Sequence, residues 1–494
     1  MILLFLSSGL FLGWSLGAND AANIFGTAVA TRMVRFRAAA ITGGIFIAIG
    51  AVVSGGGPAA TLGKLGAVNA LGGSFMVALA AALAVLWMTR AGLPVSVSQA
   101  IVGGIIGWNL FTGSATDVSA LITIVTTWVV CPVLSAAIAA LLFLAVRGVM
   151  ARSRIHILEL DAGTRLGLLV AGAFGAYALG ANNVANVMGV FVPAFPETSV
   201  RLFGVIHVST SQQLFLVGGL AIAAGMYTYS KRVMMTVGRG LFKLSPVAAL
   251  IVVLAESIVL FVFASESLQS WLVARGLPPI PLVPVSSSQA VIGAVIGIAL
   301  VKGGKNMRIG LLGRIGAGWV ATPAVAGVVA FLGLFFLQNV FGLTVHRPVP
   351  YALSEPVLER LAEEGVAEVA LEELRGSRYP SARSLRSALD GIETLDADEA
   401  RAVFEYGRVE RFEIDPAGIE ALDPTLLTPR QIEAVKALAW QTFEHRWMLH
   451  EALERKSSDW SVLPESEDSH FWNRRLVRNL AYVADAFRVD AASH

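Results

Sequence analysis

A chain of 494 residues that is 55% hydrophobic and only 15% charged, with a mean hydropathy of +0.68, is too apolar for a soluble protein of this length and belongs in a bilayer. Its net charge of +2, with Lys and Arg in short clusters between apolar runs, excludes a nucleic-acid-binding face. The single cysteine, Cys131, excludes an intramolecular disulfide, and the lack of a GxxxxGK[ST] loop removes the argument for an ATP-driven pump.

The first run, MILLFLSSGLFLGWSLGAND, has no basic leader and stays apolar past any cleavage point, so it reads as a retained spanning helix. Ten crossings are predicted, over roughly 2–29, 38–56, 73–89, 95–112, 118–146, 165–192, 202–229, 246–265, 285–301 and 315–340. Basic clusters at Arg32, Arg35 and Arg37, at Arg90, at Arg147, Arg152 and Arg154, at Lys231, Arg232, Arg239 and Lys243, and at Lys302, Lys305, Arg308 and Arg314 all fall on one side of that alternation. With the positive side cytoplasmic, the N-terminus is external. The location implied is the cell membrane.

Two sequence motifs occur twice, in the same order. GANDAANIFGTAV at 17–29 returns as GANNVANVMGVFV at 180–192, and PVSVSQAIVGGIIG at 94–107 returns as PVSSSQAVIGAVIG at 284–297. That is a duplication. Each half holds an odd number of crossings, so the second copy enters the membrane upside down, and a substrate site is expected near the midplane where the copies meet. The fold class expected is therefore an all-α integral membrane protein, an inverted-topology repeat with broken helices and re-entrant-like segments. Its domains are 1–155 (repeat 1), 156–345 (repeat 2) and 346–494, a small soluble helical domain.

In GANDAAN, Gly17 permits unwinding beside Asn19, Asp20 and Asn23, which would free carbonyls for a cation and helix starts for an anion. An ionised Asp20 at mid-membrane costs at least about 2.5 kcal/mol and so should face a cation, a donor or a wet cavity. Asn19, Asn23, Asn182, Asn183 and Asn186 can equally serve as hydrogen-bonding glue between helices. In the second motif, Pro94 or Pro284 opens a short segment whose early residues are Ser96, Ser98 and Gln99, or Ser286, Ser288 and Gln289. Hydroxyls beside the unpaired N–H groups of a first turn make an anion cradle, although each serine alone also reads as an ordinary cap. Glu256, alone in AALIVVLAESIVLFVF, is either a cation or proton site or the partner of a buried donor.

Beyond Pro348 the composition turns to charged helices. Thr428-Pro429-Arg430-Gln431 reads as a capping box opening one helix through IEAVKALAWQTFEHRWMLHEALERK. His445 and His450 lack the i, i+4 spacing of a metal pair and read as surface residues.

Together, GANDAAN with GANNVAN and PVSVSQ with PVSSSQ resemble the duplicated signatures of the inorganic phosphate transporter (PiT) family of cation-coupled anion symporters, over nearly all of residues 10–340. The resemblance implies a homodimer importing inorganic phosphate by symport with Na+ ahead of H+, with no tightly bound cofactor. It nominates Asp20, Asn23, Asn183, Asn186, Ser96, Ser98, Gln99, Ser286, Ser288 and Gln289 for substrate, and Asn19, Asp20, Asn182, Asn183 and Glu256 for the coupling ion. Three positions depart from the family pattern: Asn183 replaces its second aspartate, and Gln99 and Gln289 replace its two histidines. Phosphate near neutral pH keeps a proton that favours a carboxylate acceptor, so an amide at 183 tilts the site toward sulfate as the alternative cargo. A third reading is an anion-sensing membrane receptor with the C-terminal segment as its output.

Overall fold

The computed structural model describes residues 2–90, 95–153, 156–196, 198–202, 206–231, 233–235, 244–303, 309–366, 371–392, 395–464 and 467–489. Pro94, Arg154, Arg232, Arg239, Lys243, Lys305 and Arg308, used in the sequence reading, lie outside the described residues.

In the first half, α1 (Ile2–Asn19), α2 (Ala21–Ala30), α3 (Phe36–Ser54), α4 (Gly56–Leu65), α5 (Leu71–Arg90), α6 (Val97–Thr112) and α7 (Val118–Arg152) follow the apolar runs. The second half contains α8 (Ile157–Met188), a 3-10 turn at Gly189–Ala194, the hairpin β1 (Ser199–Leu202) and β2 (Ile206–Ser209), and α9 (Thr210–Thr228). It continues with α10 (Pro246–Val262), α11 (Glu266–Val273), α12 (Ser287–Val301) and α13 (Ile309–Asn339). Leu202 and Ile206–Ser209 fall at the expected start of the spanning helix 202–229. They pair as antiparallel strands instead, and α9 begins only at the Ser209–Gln212 capping box.

Among the described residues, six helices are long and apolar enough to cross a membrane, and a seventh candidate is the pair Pro246–Val262 and Glu266–Val273, bent by 66°. The expected crossings at 95–112 and 285–301 are the shorter helices α6 and α12. Along α7 and α13, large apolar side chains such as Val129, Val133, Leu141, Val320, Leu332 and Phe336 are exposed, an outward surface suited to lipid.

Packing follows an exchange between the halves. Helix α6 lies against α13 and α5, and α12 lies against α7 and α10; α1 packs on α9, and α8 on α3. These approaches need glycine. A Cβ at Gly103 on α6 would strike the Pro323 carbonyl of α13, and one at Gly293 on α12 would strike the Pro132 carbonyl of α7. Gly17 and Gly180 do the same against the Ile222 and Ile47 carbonyls. The expectation that Gly17 unwinds the chain is therefore corrected: Gly17 sits inside α1 to admit a neighbouring backbone, and the helix breaks later, at Asp20. The second copy does not break there at all, because α8 runs through GANNVAN to Met188.

After α13 the chain is tied back to the first half. Trp108 Nε1 donates to the Val345 carbonyl at 3.0 Å, and Asn69 exchanges two hydrogen bonds with Arg347, at 2.8 and 2.9 Å. Beyond that point lie two further buried clusters, one around Leu353, Val357, Leu385 and Val403, the other around Phe412, Leu449, Leu453 and Trp460. The pattern around each is alike. In one, β3 (Tyr351–Ala352) pairs with β4 (Arg378–Tyr379) and with Arg408; in the other, β5 (Phe412–Glu413) pairs with β6 (Thr442–Phe443) and with Arg488. Arg383 Nη2 on α15 (Ala382–Leu389) donates to the Leu110 carbonyl of α6 at 2.9 Å, joining the C-terminal segment to that helix.

The capping box at Thr428 and Gln431 forms as expected, with Pro429 in the first turn. The single helix predicted behind it does not form: α18 (Pro429–Lys436) stops, Trp440 takes positive φ, and β6 intervenes before α19 (Arg446–Lys456). Phe443 pairs with Phe412 there, and this long-range pairing overrides local helix propensity. His445 is likewise no surface residue. It is fully buried, its Nδ1 lies 2.7 Å from the Arg408 carbonyl, and burial holds its imidazole below its ordinary pKa.

Candidate functional site

Helices α6 and α12 start in the protein interior, and their capping serines explain how. Ser96 and Ser286 both hold extended backbone, and each hydroxyl accepts the N–H three residues on, from Gln99 and Gln289, at 3.3 Å. A first turn carries further N–H groups with no intrahelical partner, so each start presents donors and positive dipole to whatever it faces.

The two starts face each other's halves. Ser98 Oγ donates to the Val285 carbonyl at 3.0 Å, and Ser288 Oγ donates to the Val95 carbonyl at 3.3 Å, a reciprocal stitch between the lead-in of one helix and the first turn of the other. The asparagines join from the other motif. Asn186 Nδ2 donates to Ser98 Oγ at 2.8 Å and to Asn183 Oδ1 at 3.1 Å; Asn23 Nδ2 donates to Ser287 Oγ at 3.2 Å.

Ser287 was not among the expected residues. It is buried, accepts the Asn23 amide, and lies near the carboxyls of both Asp20 and Glu256, so the two carboxyls and one hydroxyl form a group. Reading only what both copies share hides it, because the first copy has Val97 at that position. The signal was the extra serine in PVSSSQ.

Asp20, Asn183, Asn186, Ser96, Ser98, Gln99, Ser286, Gln289 and Glu256 are all buried. Several of their polar atoms have no protein partner: Asn183 Nδ2, Asn186 Oδ1, Gln99 Oε1, Gln289 Oε1 and both Glu256 oxygens. Buried polar atoms are nearly always satisfied, so this set marks a place that takes up something polar. The amide N–H of Asn183 and the helix starts suit an anion; the oxygens suit a hard cation or a proton.

Two of the expected ion ligands make hydrogen bonds to backbone. Asn182 spends its amide on the backbone, donating to the Val283 carbonyl at 3.0 Å and accepting from Val285 N–H at 2.8 Å, which fixes the lead-in to α12. Asn19, its counterpart, donates to the Ser15 carbonyl of its own helix at 3.1 Å. Both amide nitrogens are thus spent on backbone carbonyls, one within its own helix and one across to the other motif. Cys131 Sγ approaches the Ser286 carbonyl at 3.8 Å and is buried in the protein, not in lipid.

Spans faced with apolar side chains around a buried polar centre built from both halves define a multi-pass helical membrane protein. Comparison with known proteins makes the class specific. The phosphate transporter family profile matches residues 16–161, 157–269 and 281–382, and the chain belongs to that family, whose members are transporters. An inferred phosphate permease of Pyrococcus horikoshii is 27% identical over 410 residues, covering 68% of this chain and 97% of its own length. One from Methanocaldococcus jannaschii is 28% identical over 323 residues, covering 65% and 93%. The chloroplastic inorganic phosphate transporter 2-1 of Arabidopsis thaliana is 24% identical, covering 68% and 72%. Among solved structures, one titled the sodium-dependent phosphate transporter has the same fold, with a TM-score of 0.54 at 22% identity, over 69% of this chain and 99% of that one.

Proposed function

We propose that this protein is a secondary active transporter that imports inorganic phosphate by symport with a cation, Na+ ahead of H+. The observation that carries the reading is the meeting of two helix starts from different halves, stitched through Ser98, Ser288, Asn186 and Asn23, beside the Asp20–Ser287–Glu256 group. In this reading the anion binds at the helix starts with Asn183, Gln99 and Gln289 around it, and the coupling ion is held by Asp20 and Glu256. A dehydrated anion and a cation bound side by side offset each other's desolvation, which is the physical basis of coupling.

Residues 1–155 and 156–345 are read as inverted copies with about ten crossings in all, and 346–494 as a separate helical domain outside the bilayer. The exchanged packing of α6 and α12 supports the first, and the two buried clusters built mainly from residues beyond Val345 support the second. Alternating access is then rocking of one copy against the other. The homodimer follows from the family resemblance. The sodium dependence of the structural neighbour supports Na+ as the ion.

A sulfate cargo is the second reading, favoured by one observation: Asn183 Nδ2 offers a donor where a carboxylate would accept the proton of phosphate. Uptake of labelled phosphate and sulfate into proteoliposomes under separate Na+ and H+ gradients tests both. The expected result is phosphate accumulation driven by Na+ and indifferent to excess sulfate; accumulation of sulfate alone overturns the reading.

A further inference from the structure

We propose that Arg408, Arg446 and Arg488, at the junction of the two C-terminal clusters, form a binding site for a phosphate-type oxyanion, distinct from the centre between the helix starts. Three backbone segments build it. Phe412 pairs with Phe443 on one side and with Arg488 on the other, Val489 N–H donates to the Arg411 carbonyl at 2.9 Å, and Glu410 N–H donates to the Glu444 carbonyl at 2.8 Å. Arg408 and Glu410, two apart on an extended segment, share a face, while Arg446 and Arg488 arrive from the neighbouring segments.

All three guanidiniums reach the same carboxylate. Arg408 Nη2 lies 2.9 Å and Arg488 Nη2 3.1 Å from Glu410 Oε1, and Arg446 Nε lies 3.3 Å from Oε2. Glu410 is 6% exposed, whereas the arginine side chains are 39%, 43% and 40% exposed in chain order. Within this group of four side chains one carboxylate faces three guanidiniums, and arginine cannot shed its proton. Neutralising Glu410 needs a single guanidinium; holding two more beside it costs repulsion that a second anion would remove. The nearby Glu444 does not supply that charge, because Arg378 holds it at 3.5 Å.

Each guanidinium has five N–H donors; Arg488 Nη2 donates one to Glu410 Oε1 at 3.1 Å, whereas Arg446 Nε and Arg408 Nε are buried without a hydrogen-bond partner, so donors remain for a tetrahedral anion. They open on a cavity of about 2990 Å³, whose other wall includes Lys64, Gln212 and Arg347. A free phosphate or the phosphate of a lipid headgroup would meet the same donors. The proposal rests on the C-terminal segment alone and stands whether or not the membrane centre carries phosphate.

Equilibrium dialysis of the full-length protein in phosphatidylcholine nanodiscs against labelled inorganic phosphate tests it. Wild type should bind one more phosphate per chain than Arg408→Gln/Arg488→Gln, whose affinity at this site falls about tenfold or more. Glu410→Gln should change it in the opposite direction, tightening binding several-fold, and this keeps the test decisive if the double variant does not fold. Nanodiscs containing phosphatidic acid separate the sources: weakened phosphate binding there identifies a headgroup as occupant, and unchanged binding identifies the free ion, both within the proposal. Identical stoichiometry and affinity in wild type and both variants overturns it.

Discussion

The two copies of the GAN motif begin with the same three residues and end in different structures. Where the fourth residue is Asp20, α1 stops and α2 starts; where it is Asn183, α8 continues for another turn. The asparagine before each also behaves differently, with Asn19 turned to its own helix and Asn182 clamping the lead-in to α12. A duplicated sequence thus provides matching frames but not matching tasks: one copy supplies a carboxylate at a helix interruption, the other a continuous helix whose Asn182 holds the lead-in to α12.

The sharpest way to break that comparison is to make the copies alike. Asp20→Asn should lower Na+-driven uptake by about 30-fold or more, the scale of losing one charge-assisted contact, while the protein still inserts. Unchanged coupled uptake would remove Asp20 from the ion site. The converse change, Asn183→Asp, should shift preference toward phosphate over sulfate in competition uptake.

Next in size is the clamp. Asn182→Ala leaves the Val283 carbonyl and Val285 N–H buried without their partner and should cost about 1–3 kcal/mol in thermal unfolding, whereas Asn19→Ala should cost well under half of that. Equal losses would mean the asymmetry has no energetic weight.

A third prediction contrasts the membrane part with the C-terminal segment. His445 is buried with a lowered pKa, so the unfolded chain binds the proton more readily than the folded one. Stability from this group is present above the ordinary histidine pKa of about 6.5 and is lost as pH falls below it. Glu410, held below the usual carboxylate range by Arg408, Arg446 and Arg488 although burial alone would raise it, adds a loss at more acid pH. Protection factors around Leu449 and Leu453, with the intrinsic pH dependence of amide exchange divided out, should therefore fall between pH 7 and 5, and His445→Gln should flatten that part of the profile.

The smallest effect expected is at the caps. Ser96→Ala and Ser286→Ala each remove one side-chain acceptor from a helix start and should lower stability by about 1 kcal/mol apiece, equally, because their geometries match. A large difference in unfolding midpoints would show that the two starts are not equivalent.

How much of this was legible in the sequence depended on whether the signal was local or repeated. The caps at Ser96 and Ser286, the box at Thr428 and the burial of Glu256 follow from residue chemistry within one turn or from the cost of a charge in an apolar run. Ser287 did not, since a reading built on what two copies share passes over what only one contains. The pairing of Ser199–Leu202 with Ile206–Ser209 is a local alternative to helix, and the split of the helix after Lys436 depends on pairing with a distant strand, as Phe443 does with Phe412. Periodicity within a window carries no such information. Gly17 was misread for the same reason: the backbone that requires it, at Ile222, is two hundred residues away in the chain.

The tie between Arg383 and the Leu110 carbonyl, with Trp108 anchored two residues earlier to Val345, secures the far end of α6 to the segment that follows the last span. A rod pinned at its tail swings at its tip. Any rocking that moves Ser96 and Ser98 must therefore pivot near Gly113 or drag α15 along with it, so the position of α15 serves as a lever arm from which the state of the buried centre can be measured at the protein's rim.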